Sequence, residues 1–226
     1  GNPNQVTALK KTNLKSIADL KGRSIGMPSS GSQPSMFPLV MAANGLKEGD
    51  VKIVNMPGDS LVAALMQGTV DTIAGSVDSY ALTLKSLGAE TINFLFIDSG
   101  AATVSTSIVA SDSFLAQKPE VVKAFVAAGL KGWYAAIDDP AAASVELKKL
   151  FPDSNEKLAP AQIDATKMLM CVNRAKFVGK ATPEQWADTV KILSEINILP
   201  PSTPATAYYT YDFLPPESVL RKCPLR

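Results

Sequence analysis

Small polar residues and glycines cluster in three short segments, residues 29–32, 58–60 and 75–79, each between a strand-like and a helix-like stretch. Hydroxyl groups and open backbone amides at the start of a helix bind carboxylate, sulfonate or phosphate groups, because the first N–H groups of a helix have no partner within it. The segments therefore indicate a site for a small polar or anionic ligand. The candidate ligand-binding residues are Ser29, Ser30, Gly31, Ser32, Gly58, Asp59, Ser60, Ser76 and Asp78.

The same residue types also have a purely structural use. Serine and aspartate at these positions can cap their own helices, and for any single segment this is the simpler interpretation. Three segments side by side favour ligand contact instead, because open α/β sheets bind ligands beyond the carboxyl ends of their strands. Asp59 and Asp78 fit a cationic ligand group or a capping role. The turn at 99–102 is a weaker candidate, since Gly100 could serve the turn alone.

The composition removes whole classes of function. Histidine is absent from the 226 residues, which excludes Ser-His-Asp and Cys-His catalysis and histidine-ligated metals. We therefore expect a protein that is not an enzyme and holds no cofactor or metal. The 22 basic residues are balanced by 21 acidic ones and are scattered along the chain without forming a run. This distribution argues against nucleic acid as a partner. No apolar stretch reaches the ~20 residues of a membrane span.

The two cysteines leave the compartment open. Cys171 and Cys223 lie far apart and lack the spacing of metal ligands. They could form one disulfide in an oxidising compartment or remain two unrelated thiols.

The first half of the chain alternates strand and helix signals, which predicts βα units on a mainly parallel sheet. Ser32 is the expected N-cap of the first helix, and Pro38 is expected to kink that helix or confine it to a short segment. Strands are predicted at 23–27, 51–55, 70–74, 91–97 and 103–110, and helices at 34–44, 61–67 and 80–87.

After residue 110 the pattern is nearly all helical. Apolar residues at helical spacing predict one long amphipathic helix followed by shorter ones, each opened by a proline near its first turn. The predicted helices cover 119–137, 140–150, 160–172 and 183–196, and the Pro-rich tail from residue 200 is expected to be irregular.

Several segments resemble bacterial solute-binding proteins of the nitrate, sulfonate and taurine type, a group that includes NMT1/THI5-like binders of thiamine-pyrimidine precursors. Residues 17–26, Ile-Ala-Asp-Leu-Lys-Gly-Arg-Ser-Ile-Gly, are similar to a segment that begins the second lobe of these proteins. Residues 118–125, Lys-Pro-Glu-Val-Val-Lys-Ala-Phe, and residues 208–215 resemble two later segments. Residues 76–79 depart from the Trp-Glu-Pro sequence of many members, which leaves the ligand open.

The resemblance implies an α/β fold of the type 2 periplasmic-binding-protein kind, in which two lobes close over a small solute and the loaded protein docks on a membrane ABC permease. It implies a lead-in over 1–13, the α/β second lobe over 14–110, and a mainly helical return segment of the first lobe with the tail over 111–226. Most of the first lobe is then expected to be missing, so that the chain carries half of the cleft. Segment 29–32 matches the second-lobe site for an anion or polar group, and 58–60 and 76–78 match neighbouring cleft loops.

The resemblance further implies a monomer outside the cytoplasm that does not insert into the membrane, although no signal peptide opens the sequence. Two alternatives follow from related folds. A fungal pyrimidine synthase depends on histidine, which this chain lacks. The effector domain of a transcriptional regulator would normally follow a helix-turn-helix segment, and residues 2–15 are too few to form one.

Overall fold

The computed structural model describes residues 1–172 and 174–224 of the chain. The chain forms two compact units: the first comprises Asn2–Ala102, and the second comprises Gly1 and the chain from Thr103 onward. Within the described ranges no helix is both long and apolar enough to cross a membrane. No His, Cys, Asp or Glu group in these ranges is placed to hold a metal ion. The predicted division into lobes, with its boundary at 110/111, stays a prediction.

A five-stranded sheet organises the first unit. The strands are β1 (Asn4–Leu9), β2 (Ser24–Met27), β3 (Lys52–Asn55), β4 (Thr72–Ser76) and β5 (Thr91–Leu95). Their order across the sheet is β3-β2-β4-β1-β5. Strand β2 runs parallel to β3 and β4, whereas β1 runs antiparallel to β4 and β5.

The sheet is therefore mixed, and the prediction of a mainly parallel sheet is wrong in this respect. Strand β1 accounts for the difference, because it lies in the lead-in segment for which no strand was predicted. All six of its residues are buried, although Asn4, Gln5 and Thr7 are polar, and an apolar content of only three residues in six gives a weak sequence signal for a buried strand. The α/β fold class itself is confirmed.

The prediction of a strand at 103–110 is wrong, because this segment is irregular in the structure. Its β-branched residues have high strand propensity, but that propensity reflects packing against neighbours in a sheet. Here Val109 is 89% exposed and Ile108 is 54% exposed, so these side chains gain little from an extended backbone.

The first unit has three helices, α1 (Ser32–Ala43), α2 (Leu61–Gln67) and α3 (Tyr80–Ser86). Ser32 is not the N-cap of α1. Gly31 takes that position with φ 110° and ψ −170°, a conformation open to glycine, so Ser32 becomes the first helical residue. The helix also continues through Pro38, contrary to the expected short segment, because buried residues on both sides of Pro38, including Phe37 and Val40, anchor it.

Two hydrophobic cores cover the two faces of this sheet. One joins α1 to β1 and β2 through Phe37, Val6 and Ile25. The other packs Leu61, Leu65 and Leu84 of α2 and α3 against Ile73. Ile73 and Ala74 are successive residues of β4 and belong to different cores, as expected for side chains that alternate between faces.

A reciprocal polar contact ties the start of β2 to the start of β4. The backbone N–H and the hydroxyl of Ser24 donate to Asp71 Oδ2 at 2.8 and 2.7 Å, and the Asp71 N–H donates to Ser24 Oγ at 2.9 Å. The hydrogen bonds from the Ser24 N–H and hydroxyl lower the pKa of Asp71. The ionised carboxylate therefore stabilises this edge of the sheet.

We predict that Asp71→Ala lowers the free energy of unfolding by about 1 kcal/mol at pH 7. The figure stays small because the Asp71 side chain is 41% exposed. Because the folded-state pKa lies below the unfolded value of about 3.9, the stabilisation is complete above that pH and is lost as the pH falls through the folded pKa. Urea unfolding at pH 7 and pH 3 should show the difference shrinking in acid. A difference that is equal at both pH values, or matched by the exposed Glu48→Ala control, would contradict this role.

The second unit is built from helices. They are α4 (Asp112–Gln117), α5 (Pro119–Asp138), α6 (Pro140–Leu150), α7 (Ala159–Met170) and α8 (Pro183–Glu195). The predicted long helix is α5, and proline stands in the first turn of α5 to α8 as expected. Proline suits this position because the first N–H groups of a helix lack helical acceptors. Helix α8 has in addition a capping box between Thr182 and Gln185.

The irregular C-terminal tail is fastened to these helices by a disulfide and by aromatic stacking. Cys171, at the end of α7, pairs with Cys223, which decides between the two possibilities that the sequence left open. Tyr209 stacks on Trp186 of α8 with ring centroids 5.1 Å apart. The Tyr211 hydroxyl donates to the Ala181 carbonyl at 2.6 Å.

We predict that replacing both cysteines by serine lowers the free energy of unfolding of the second unit by about 2–4 kcal/mol, because the bond closes a long loop and restricts the unfolded chain. Urea unfolding followed by tryptophan fluorescence measures this, since Trp133 and Trp186 both lie in the second unit. Reductant should bring the wild type to the stability of the double variant and leave the variant unchanged. Equal stability of wild type and variant under oxidising conditions would refute the prediction.

Candidate functional site

The sheet topology brings the three predicted segments to one edge. Strands β2, β3 and β4 run in the same direction, and each is followed by one of the segments. Strand β1 runs the opposite way, so its first residues lie at the same edge, with Asn4 opposite Ser76. We call this edge, with residues 29–32, 58–60 and 76–79 and the start of β1, the loop edge.

The first segment leaves the start of α1 open. Ser29, Ser30, Gly31 and Ser32 are all exposed. The Ser32 hydroxyl donates to Asn4 Oδ1 at 3.2 Å and so does not cap the helix. Gly31 has no side chain with which to accept a hydrogen bond from the first turn. The first amides of this 12-residue helix therefore remain without a side-chain cap.

The second and third segments behave in the same way. Gly58–Ser60 forms a 3₁₀ turn before α2, and the Ser60 hydroxyl donates to Asp59 Oδ1 at 3.3 Å. In the third segment the Ser76 hydroxyl donates to Asp78. In the first unit, all of which is described, the N-cap side chains Ser60 and Ser79 accept no hydrogen bond from their helices. The capping interpretation therefore does not account for these serines.

Two asparagines that the sequence interpretation missed lie at the same edge. Asn2 and Asn4 are 4% and 3% exposed. The Asn2 side chain donates to the Ala101 carbonyl at 2.7 Å and accepts from the Asn4 N–H at 3.2 Å. The Asn4 amide also donates to Met36 Sδ. Recognition of β1 as a strand would have pointed to Asn4, its first residue, and to Asn2 two residues before it.

Tyr80, the first residue of α3, is a further missed residue, and it connects two of the segments. A Cβ atom added to Gly75 would overlap the Tyr80 ring, and one added to Gly58 would lie 2.7 Å from the Tyr80 hydroxyl. Burial raises the pKa of Tyr80, and the charge of Asp59 adds to this effect. The two glycines thus make room for an aromatic ring at the loop edge.

The weaker candidate turn at 99–102 has a packing role. A Cβ atom on Gly100 would overlap that of Ala43 at the end of α1. The Asn44 side chain donates to the Ser99 carbonyl at 3.1 Å, and Ala101 is fully buried. Glycine is required at position 100 by this close approach and by its φ of 98°.

In the second unit a groove of about 470 Å³ lies between α8 and the start of the tail, lined by residues such as Val190, Ser194 and Pro201. It contains none of the predicted site residues. Its lining is mainly apolar, in keeping with its position where the tail packs on α8.

We predict that Gly75→Ala displaces the Tyr80 ring and lowers the free energy of unfolding by about 1–3 kcal/mol, as overpacking does in other proteins. Gly129→Ala in α5 is the matched control, because a Cβ atom there meets nothing within 4 Å and alanine favours a helix by up to about 1 kcal/mol. Thermal unfolding of both variants measures the contrast. An equally neutral effect of the two substitutions would disprove the contact between Tyr80 and Gly75.

The architecture is that of the type 2 periplasmic binding proteins. The periplasmic aliphatic sulphonate-binding protein SsuA of Escherichia coli matches 90% of this chain and 64% of its own, with a TM-score of 0.67 and 14% identity. The alkanesulfonate-binding protein SsuA of Xanthomonas axonopodis matches 94% of this chain and 69% of its own, with a TM-score of 0.59 and 15% identity. At these identities the likeness is one of fold.

The sequence profile of the NMT1/THI5 like family matches residues 1–143. The chain belongs to the NMT1/THI5 like family.

Curated relatives are similar over shorter stretches. A thiamine biosynthesis protein of Haemophilus influenzae is 39% identical over 84 residues, 37% of this chain and 26% of that protein. The riboflavin-binding protein RibY of Chloroflexus aurantiacus is 32% identical over 121 residues, 53% of this chain and 34% of that protein. The matches span about a third or less of the length of these two relatives.

Proposed function

We propose that this chain is part of the substrate-binding component of an ABC-type importer and contributes to capturing a small polar or anionic solute in a cleft between two lobes. The solute is sulfonate-, taurine- or nitrate-like, or a pyrimidine precursor. It contacts the loop edge through Ser29, Ser30, Gly31, Ser32, Gly58, Asp59, Ser60, Ser76 and Asp78.

One observation carries this proposal. Three polar segments at one sheet edge lead into helices that receive no capping hydrogen bond from their N-cap residues, which are Gly31, Ser60 and Ser79. An unsatisfied N–H group at a helix start needs an acceptor, and an acceptor on a bound solute meets that need. The names of the two structures of similar fold describe sulfonate binding, and the name of one relative describes riboflavin binding. Binding of a small solute by this chain is in keeping with these names.

The partners follow from the same proposal. A membrane ABC permease receives the loaded protein, which acts as a monomer outside the cytoplasm. The Cys171–Cys223 disulfide supports this compartment, because disulfides persist in oxidising surroundings and are rare in the cytosol.

The Haemophilus influenzae relative carries a name from thiamine biosynthesis, which raises an enzymatic alternative. The chain offers it little support. It contains no histidine, and the loop edge presents hydroxyls, carboxylates and amides without a basic residue in the three segments. A binding role is therefore the better interpretation.

A thermal-shift screen of taurine, alkanesulfonates, nitrate, bicarbonate, pyrimidines and flavins tests the proposal. We expect one class to raise the melting temperature, because a solute at a hundredfold excess over its Kd stabilises the folded chain by about 2.7 kcal/mol. For a chain of this size the shift is roughly 5–10 °C. No shift with any of these solutes would count against solute binding by this chain.

A charge variant locates the binding. Ser30→Glu places a carboxylate beside the first amides of α1, where it competes with the solute, and should abolish the shift. Gln67→Glu adds the same charge at the exposed C-terminal end of α2 and should leave the shift unchanged. A shift that survives Ser30→Glu would place the solute elsewhere.

A further inference from the structure

The basic residues of the first unit all lie at one edge of its sheet, opposite the loop edge. Strand β1 ends at this edge, whereas β2, β3, β4 and β5 begin there, and the chain returns to it after α1, α2 and α3. Residues 2–102 contain no lysine or arginine elsewhere. We call it the lysine edge, and its basic residues are Lys10, Lys11, Lys15, Lys21, Arg23, Lys47, Lys52 and Lys85.

Only part of this charge is balanced within the edge. Eight basic residues stand against five acidic ones, which are Asp19, Glu48, Asp50, Asp71 and Glu90, and leave a net charge of +3. Three ion pairs form there: Lys10 with Glu90, Lys21 with Asp50, and Arg23 with Asp71. The other five lysines, Lys11, Lys15, Lys47, Lys52 and Lys85, are exposed and form no ion pair with described residues.

The same edge also exposes large apolar side chains. In the first unit, all of which is described, the exposed large apolar residues are Ile53, Met66 and Leu87, and Leu87 is 59% exposed. Ile53 is the second residue of β3, Met66 lies in the last turn of α2, and Leu87 follows α3. Apolar side chains among lysines are typical of surfaces that bind the interface of a lipid bilayer, because the apolar groups enter the acyl boundary while the lysines reach the headgroups.

We propose that the lysine edge binds the surface of an anionic lipid bilayer. Paired strands lie about 4.8 Å apart, so the five strands place their ends in a row about 20 Å long that suits a flat surface. The unpaired lysines meet the anionic headgroups, and Ile53, Met66 and Leu87 enter the headgroup region. A soluble acidic partner would engage the lysines alone and leave these apolar side chains exposed.

The charge at the other end of the unit agrees with this orientation. The remaining acidic residues of the first unit are Asp59, Asp78 and Asp98. They follow β3, β4 and β5 and lie on the side of the loop edge, which anionic headgroups repel. The loop edge thus faces away from the bilayer and stays open to water.

Co-sedimentation of the whole chain with vesicles tests this surface. Vesicles of phosphatidylcholine alone are compared with vesicles of equal parts phosphatidylcholine and phosphatidylglycerol at low salt. We expect the anionic vesicles to bind at least about tenfold more tightly, and about 0.5 M salt should release the chain because it screens exposed charges.

Variants locate the contact. Lys11→Gln combined with Lys52→Gln should weaken binding to the anionic vesicles by about fivefold for each lysine removed. Leu87→Gln should weaken it by roughly threefold to tenfold, because an apolar side chain no longer enters the bilayer. The matched control is Lys131→Gln combined with Lys157→Gln, which removes the same charge from exposed residues of the second unit and should leave the affinity unchanged. Thermal unfolding confirms that each variant is folded.

Equal binding to the two kinds of vesicle, or an equal loss in the two double variants, would overturn the proposal. Wild-type affinity in Leu87→Gln, together with release of the chain from the vesicles by soluble polyglutamate, would assign the lysine edge to an acidic protein instead. None of these outcomes bears on solute binding at the loop edge, which the thermal-shift screen tests separately.

Discussion

The first unit depends on the insertion of β1 between β4 and β5. Buried backbone N–H and C=O groups must be paired, and β1 pairs on both sides over nearly its whole length. All six of its residues are buried, and its alternate side chains join both cores, with Val6 in one and Leu9 in the other. Without β1 the sheet would separate into β3-β2-β4 and an unpaired β5.

The same strand shapes the candidate site. Because β1 runs antiparallel to β4, its first residues lie beside the carboxyl end of β4, and Asn4 comes to stand opposite Ser76. The buried Asn4 carboxamide then holds the Ser32 hydroxyl. A strand required for pairing thus also orders the start of α1.

At the loop edge, apolar packing replaces side-chain capping as the source of stability. The helix starts there are held by apolar packing of α1, α2 and α3 on the sheet and not by side-chain caps. A side-chain cap contributes about 1 kcal/mol to stability. In these helices apolar burial in the two cores provides the stability that a cap would add. Departures from local preference of this kind are expected at functional sites, which supports the proposed site. In the second unit, by contrast, a capping box stabilises the start of α8 and a disulfide attaches the tail to the end of α7.

The sequence by itself determined the features that depend on neighbouring residues. Helical spacing and prolines predicted α5 to α8, turn residues predicted the three segments, and motifs such as residues 17–26 indicated the family. Tertiary structure decided what depends on distant residues. Three features are of this kind: the central place of β1 in the sheet, the pairing of Cys171 with Cys223, and the contact of Tyr80 with Gly75. Each depends on packing or bonding that the local sequence pattern does not predict. Residues 103–110 show the converse, since strand propensity without a neighbouring strand to pack against left the backbone irregular.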